Sequence, residues 1–247
     1  ANPAQPKIFS YSTTQTADYQ VSDIQYSLAG AHFNLSTASG EWRVQSPLLG
    51  HFNIENLLAS LISVEQAGFD LAALISTVPQ LQGAPGRMQV IRDAERLFVV
   101  DYAHTPDALT QVLKTLKRHV SHQLWAVFGC GGDRDRGKRP LMTKAALQGA
   151  HVAVLTSDNP RTEDPAQIFA DMKAGIDFSG HSVHEIHDRR EAIKFVVQQA
   201  QAGDIVVIAG KGHENYQEID SVRHWFDDVV EVQSAINAQH HSTDSAY

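Results

Sequence analysis

The chain has 247 residues, long enough for one large domain or two modest ones, and its 43% hydrophobic and 19% charged content is that of a globular protein able to bury a real core. A formal net charge of −8 argues against a nucleic acid or an anionic membrane as the main partner, while leaving local basic clusters free to bind small anions. One cysteine, Cys130, excludes an internal disulfide framework and fits a reducing, cytoplasmic compartment, and no apolar run approaches the ~20 residues of a membrane-spanning helix.

The start, Ala1-Asn2-Pro3-Ala4, has neither the apolar core of a signal peptide nor an initiator methionine, so the chain is expected to be a piece of something longer. Tyr19 to Pro47 carries short alternating stretches, such as Ala31 to Leu35 and Trp42 to Val44, separated by Gly and Ser; these predict an antiparallel ribbon or sheet edge. Asn53 to Gly68 then places Ile54, Leu57, Leu58, Leu61 and Ile62 at helical spacing, and Asp70 to Val78 predicts a second short helix. This is too little for a complete sheet domain and reads as the tail of one. Gly83-Ala84-Pro85-Gly86 is the expected linker, dividing residues 1–85 from 86–247.

From Gly86 onward the pattern alternates. Phe98 to Val100, Trp125 to Phe128, Val152 to Leu155 and Ile205 to Ile208 are apolar runs with the bias of buried strands. Between and after them, Pro106 to His119, Arg139 to Leu147, Pro165 to Ala174, Arg189 to Gln199 and Trp225 to Asn237 are amphipathic. The expected fold class is α/β, a doubly wound, mostly parallel (Rossmann-like) sheet with helices on both faces. The polar tail after Gln239 is expected to fray.

In such a sheet ligands gather at the carboxyl ends of the strands, which singles out four polar loops. They are Asp101-Tyr102-Ala103-His104, Gly129 to Pro140, Ser157-Asp158-Asn159-Pro160-Arg161, and Gly210-Lys211-Gly212-His213-Glu214. Singly, each has a plain reading. Gly129 to Gly132 lacks the GxGxxG spacing of a dinucleotide site, and Gly210-Lys211-Gly212 lacks that of a P-loop. Asn159-Pro160 could be a turn, Asp101 a strand-end cap that with His104 only orders its own loop, Cys130 a packing residue, and His213 an ordinary imidazole. Lys138 and Arg139 could contact an anionic group or only solvate their turn. The thirteen histidines show no HExxH pattern, and no metal site is expected in this chain.

Taken in order, Gly86-Arg87-Met88, Asp101 to His104, Gly131 to Asp135 with Gly137 to Pro140, Asp158-Asn159-Pro160-Arg161 and Gly210 to Glu214 closely resemble the Mur ligase family. Upstream, Gly50-His51-Phe52-Asn53-Ile54-Glu55-Asn56 resembles the family's G-x-F-N-x-x-N segment, so the likeness runs from about Leu48 to Asp228. Within the family it is narrowest to members that add meso-2,6-diaminopimelate to UDP-N-acetylmuramoyl-L-alanyl-D-glutamate.

The resemblance implies ATP- and Mg2+-dependent amide-bond formation in peptidoglycan precursor synthesis, through an acyl phosphate attacked by the incoming amine. It assigns residues 1–85 to the end of the central ATP-binding domain and 86–247 to the amino-acid-binding domain. Asp158-Asn159-Pro160-Arg161 stands as the diaminopimelate signature, with Arg161 on the distal carboxylate and Asn159 beside it. Arg134 would hold a second carboxylate, and Glu214 with the Gly210 backbone would receive an ammonium. Asn53, Arg87 and Asp101 would contact nucleotide, with Tyr102 and His104 near its base or ribose. The family's GTNGKT phosphate loop, its carbamylated lysine and its uridine-nucleotide domain appear nowhere in these residues. A monomer without ligation activity of its own is therefore expected. The competing expectations are a non-catalytic amino-acid-binding module and a ligase resembling folylpolyglutamate synthetase.

Overall fold

A computed structural model of the protein describes residues 7–244, which divide into two compact units between Gln82 and Gly83. The first unit holds four strands, β1 (Tyr11–Ser12), β2 (Tyr19–Ser27), β3 (Gly30–Thr37) and β4 (Gly40–Ser46), in that order across the sheet. β2, β3 and β4 form an antiparallel meander, and β1 runs parallel to β2. Alternation decides the buried face: Ala31, Phe33 and Leu35 point inward from β3. They meet Ile54, Leu57, Leu58 and Leu61 of α1 (His51–Gln66) and Leu71 and Ile75 of α2 (Leu71–Thr77) in one core.

The second unit is a six-stranded sheet built from β5 (Gln89–Asp93), β6 (Arg96–Asp101), β7 (Leu124–Phe128), β8 (Val152–Leu155), β9 (Ser182–Glu185) and β10 (Ile205–Ala209). The order is β5-β6-β10-β7-β8-β9, parallel throughout except for β5, which pairs antiparallel with β6. The expected doubly wound, mostly parallel α/β class is therefore what forms. β10 sits between β6 and β7, so the chain crosses over one strand position early and fills it last.

Five helices follow the strands: α3 (Pro106–Leu116), α4 (Lys138–Gly149), α5 (Pro165–Lys173), α6 (Arg189–Gln199) and α7 (Asp228–Asp244). One face of the sheet packs Phe98, Val127, Val154, Val206 and Ile208 against Ile193, Val196 and Val197 of α6 and Val232 and Ile236 of α7. The alternate residues, Val99, Ala126 and Val207, turn the other way, where α3 contacts β7 and β10. Local chemistry sets the helix starts. Thr105 and Asp164 accept N–H bonds from Ala108 and Ala166, each just ahead of a proline already shaped for the first turn.

Several boundaries differ from the sequence-based expectation. Trp225 is not helical; it closes a hairpin of β11 (Tyr216–Ile219) and β12 (Val222–Trp225), and the last helix begins only at Asp228. The tail after Gln239 continues that helix through Asp244 rather than fraying, and Ala1 to Ala4 lie outside the described residues. α3 stops at Leu116, short of His119, and β5 and β9 were not anticipated. Among the described residues no helix is long and apolar enough to cross a membrane.

One ion pair ties the sheet's carboxyl edge together. Arg189, in the first turn of α6, is completely buried and donates from Nε and Nη2 to the two carboxylate oxygens of Asp228, each at 2.8 Å. Nη2 also donates to the Ala209 carbonyl at the end of β10 (3.0 Å), and Nη1 to the Ser157 carbonyl after β8 (3.4 Å). Burial alone would lower the guanidinium's pKa, but the Asp228 carboxylate outweighs it and the net shift is upward. Removing one partner strands the other without solvent. Asp228→Ala should therefore lower unfolding free energy by about 3–5 kcal/mol in urea denaturation, and a loss well under 1 kcal/mol would show that the pair does not tie this edge.

Candidate functional site

The parallel strands β6, β7, β8 and β10 all end at one edge, and their loops enclose a cavity of about 440 Å³ within the second unit. Of the residues singled out in the sequence, Tyr102, His104, Arg134, Asp158, Asn159, Arg161, Gly210 and Glu214 line it. Arg87, Asp101 and Pro160 do not. Asn53 belongs to the first unit, in the opening turn of α1, where its side chain donates to the Leu49 carbonyl at 2.8 Å.

Close backbone approach shapes the loop after β7. A Cβ on Gly132 would lie 1.9 Å from the Pro160 carbonyl oxygen, and one on Gly131 would lie 2.8 Å from Arg161 Nη1. At 132, where the clash is with backbone, only glycine lets the Asp158–Arg161 segment lie against this loop. Arg161 itself has φ +53°, a left-handed conformation unfavourable for a side chain with a Cβ. The hairpin holds it there: its N–H donates to the Glu218 carbonyl at 3.0 Å, and Asp220 N–H donates to the Arg161 carbonyl at 2.7 Å. Its guanidinium donates to the Gly132 carbonyl (2.8 Å) and faces the Glu218 carboxylate at 3.7 Å. Arg134 and Lys138 line the same cavity with exposed side chains.

The opposite charge comes from the loops after β8 and β10. Lys211 is fully buried, with Nζ 2.9 Å from Asn159 Oδ1, 3.4 Å from Glu214 Oε2 and 3.5 Å from Asp158 Oδ1. Asn159 Nδ2 donates to the same Glu214 oxygen at 3.1 Å. The cavity thus has guanidinium groups on one set of loops and two carboxylates sharing one buried ammonium on another. Cys130 also lines it; burial, then the nearby Asp158 carboxylate, pushes its thiol up to about 12, so it stays protonated and packs.

Beside the cavity, Arg87 lies 5.3 Å over the Tyr102 ring, which His104 meets edge-on at 4.7 Å and His213 at a tilt at 5.5 Å. Asp101 is nearly buried and already accepts two backbone N–H bonds at 2.8 Å, from Met88 and Ala103. His104 Nδ1 bonds the Tyr102 carbonyl at 2.9 Å. Among the described residues no three His, Cys, Asp or Glu side chains converge to hold a metal ion.

Arg139 lines the cavity too, and it does not merely solvate its turn. It is buried, donating to both carboxylate oxygens of Glu163 (2.7 and 2.6 Å), to Asp171 (2.8 Å) and to the Gly131 carbonyl (3.1 Å). Glu163 also accepts the Asp133 N–H at 3.0 Å, so this network locks the glycine loop to the segment that carries Arg161. Sequence reasoning placed Lys211 in a candidate loop but gave it no role, and it missed Tyr216 and Glu218. The hairpin that supplies the last two turns on Asp220-Ser221, both at positive φ, without the Asn-Gly or Asp-Gly pair that marks such a turn.

Comparison with known proteins gives consistent matches. The family described as "Mur ligase, glutamate ligase domain" matches residues 86–212, and that described as "Mur ligase middle domain" matches residues 1–64. A curated UDP-N-acetylmuramoyl-L-alanyl-D-glutamate--2,6-diaminopimelate ligase from Ectopseudomonas mendocina is 46% identical over 94% of this chain and 48% of its own length. Its counterpart from Geobacillus thermodenitrificans is 42% identical over 93% and 47%. A solved structure of a ligase of the same name has 80% identity and a TM-score of 0.84, covering 97% of this chain and 50% of that one. A folylpolyglutamate synthase from Thermotoga maritima shares the fold alone, with 20% identity and a TM-score of 0.61 over 78% of this chain and 44% of its own. The chain spans about half the length of the curated relatives it matches.

The ion network behind the cavity carries a pH signature. Arg139 holds the Glu163 carboxyl down to about 2 from its ordinary 4.5, and Arg136 with Arg139 holds Asp171 at about 2 from 3.8. Both carboxyls are depressed in the fold, so their stabilisation is complete above the ordinary values and disappears as pH falls toward about 2. Glu163→Gln should be less stable than the wild type at neutral pH, and the difference should close between about pH 5 and pH 2 in denaturation curves. A difference that stays constant across that window would show that Glu163 carries no such linkage.

Proposed function

The chain belongs to the Mur ligase family, and from that premise we propose that it carries the amino-acid-binding part of an ATP-dependent ligase. That ligase adds meso-2,6-diaminopimelate to UDP-N-acetylmuramoyl-L-alanyl-D-glutamate through an acyl phosphate, in the cytoplasm, where peptidoglycan precursors are assembled. Residues 1–85 are the end of its central ATP-binding domain, and residues 86–247 its amino-acid-binding domain. The names of the relatives support this reading.

The observation that carries it is the distribution of charge around one cavity. Diaminopimelate has an ammonium and a carboxylate at each end, so its pocket must offer guanidinium and carboxylate groups together. Arg161 and Arg134 are the guanidiniums, and Glu214 with Asp158 the carboxylates. A planar guanidinium fork suits a carboxylate better than a point charge does. In this reading Arg161 takes the distal carboxylate with Asn159 beside it, Arg134 the other carboxylate, and Glu214 with the Gly210 backbone an ammonium. Pro160 stiffens the turn between Asn159 and Arg161. The work of these residues is orientation: they fix the amine so that it meets the activated carboxyl carbon, converting an encounter into a held geometry.

The Tyr102 cluster offers a ring face, a cation and imidazoles, which fit the base, ribose and phosphates of ATP. Arg87, Asp101, Tyr102 and His104 are assigned to nucleotide, and so, separately, is Asn53 in the first unit. Two of Asp101's acceptor positions are committed to Met88 and Ala103, so a ribose hydroxyl would use a remaining lone pair. Mg2+ neutralises phosphate charge when bound, and no residue of this chain is assigned to hold it. With no GKT phosphate loop among these residues, the chain on its own should release no phosphate from ATP above background when given both co-substrates.

Lysine lacks the distal carboxylate and would leave the partly exposed Arg161 with only the Gly132 carbonyl and the Glu218 carboxylate, at a cost of roughly 1–3 kcal/mol. Saturation-transfer NMR of the chain should therefore show transfer to diaminopimelate and none to L-lysine, with the signal lost in Arg161→Ala. Equal transfer to both amino acids, or transfer that survives the substitution, would remove Arg161 as the selector.

A further inference from the structure

Lys211 stands out because nothing in the proposed chemistry uses it, yet its ammonium is fully buried among the pocket's polar side chains. Two donors converge on Asn159 Oδ1: Lys211 Nζ at 2.9 Å and the Glu218 backbone N–H at 2.9 Å. An amide oxygen holding both cannot be exchanged for the NH2 group, which would set donors against donors. The side chain is therefore fixed with Nδ2 toward Glu214, at 3.1 Å. Glu214 in turn spends only Oε2 on Asn159 and Lys211, and Oε1 has no partner among the described residues.

Charge counting adds a second constraint. Asp158 and Glu214 contribute two negative charges and Lys211 one positive, leaving one negative charge at the cavity wall. The neighbouring buried cation, Arg189, is already matched by Asp228. Without Lys211 the two carboxylates would face each other with no cation between them, and their repulsion would push them apart. A bare hydrocarbon in its place would also leave the Asn159 amide free to flip.

We propose that Lys211 is a positioning residue of this pocket: it fixes the donor face of Asn159 and leaves the Asp158–Glu214 pair with a single negative charge matched to one ligand ammonium. The proposal rests on the reading of the cavity as an amino-acid site. It makes the glycine-flanked lysine an internal counter-ion and not a phosphate ligand, despite the local likeness to a P-loop.

The test compares the 247-residue wild type with Lys211→Met and Lys211→Gln by NMR. Exchange of the Asn159 side-chain amide protons is measured without ligand, followed by titration with meso-diaminopimelate and with 2-aminopimelate, which has one ammonium fewer. Loss of a charged hydrogen bond should speed Asn159 amide exchange by about tenfold or more in Lys211→Met. Diaminopimelate affinity should fall by about tenfold, and 2-aminopimelate affinity by less than about threefold. A purely structural role would weaken both ligands alike. Unchanged Asn159 exchange, equal loss of the two ligands, or failure of both variants to fold would each overturn the assignment. A wild type that binds no diaminopimelate overturns the amino-acid reading of the cavity instead, and the exchange measurement still decides the role of Lys211.

Discussion

The buried Arg189 guanidinium is the constraint on which the second unit's working edge depends. It sits at the start of α6 and reaches Asp228 at the start of α7, the end of β10 and the turn after β8. Those are the segments from which the loops carrying Asp158, Arg161, Gly210 and Glu214 emerge. A fully buried ion pair is a poor source of net stability compared with well-packed apolar groups, because both ions lose their hydration. What it supplies is geometry, since a planar fork with each nitrogen bound leaves little freedom to slide. The apolar core beneath would tolerate small shifts, whereas the carbonyls of Ala209 and Ser157 are held to hydrogen-bond distance.

The same logic repeats in three layers toward the cavity. Arg189 with Asp228 holds the strand ends, Arg139 with Glu163 and Asp171 holds the glycine loop against the Asp158–Arg161 segment, and Lys211 holds Asn159 and Glu214. The acidic partner is fully buried only in the first layer; in the other two the carboxylates are partly exposed, 16–17% at Asp171 and Glu163 and 11–22% at Asp158 and Glu214. Arg161 is the exception: its backbone is held in an unfavourable conformation by the hairpin while its guanidinium stays partly exposed.

How far the sequence revealed this depends on burial. Phe98 to Val100, Trp125 to Phe128, Val152 to Leu155 and Ile205 to Ile208 lie in strands flanked on both sides, so they must be apolar throughout and are readable as such. β9 lies at the sheet's margin with the pattern Ser-Val-His-Glu, and an edge needs no continuous apolar run. The pocket residues were legible as ordered motifs, since Asp158 to Arg161 and Gly210 to Glu214 stand out once the family likeness is noticed. Their internal wiring was not. Arg139, Arg189 and Lys211 look in sequence like any solvated cation, and only tertiary convergence shows that all three are buried. Glu218 and Tyr216 were hidden because their hairpin has neither a marked turn nor a strongly alternating pattern.

The position of β10 has a consequence for how the protein comes into being. β6 and β7 are made early but do not touch; each waits beside a strand-wide gap for residues near the end of the sheet sequence, which pair Leu97 with Ile205 and Leu124 with the same residue. Until that segment leaves the ribosome, two central edges carry unsatisfied backbone groups and apolar side chains, the kind of surface that recruits chaperones or stray strands. Insertion of β10 then closes the sheet and delivers the Gly210–Glu214 loop in one event. Sheet and pocket thus depend on the same strand: a chain that stops short of it has two open central edges and lacks the Gly210–Glu214 loop.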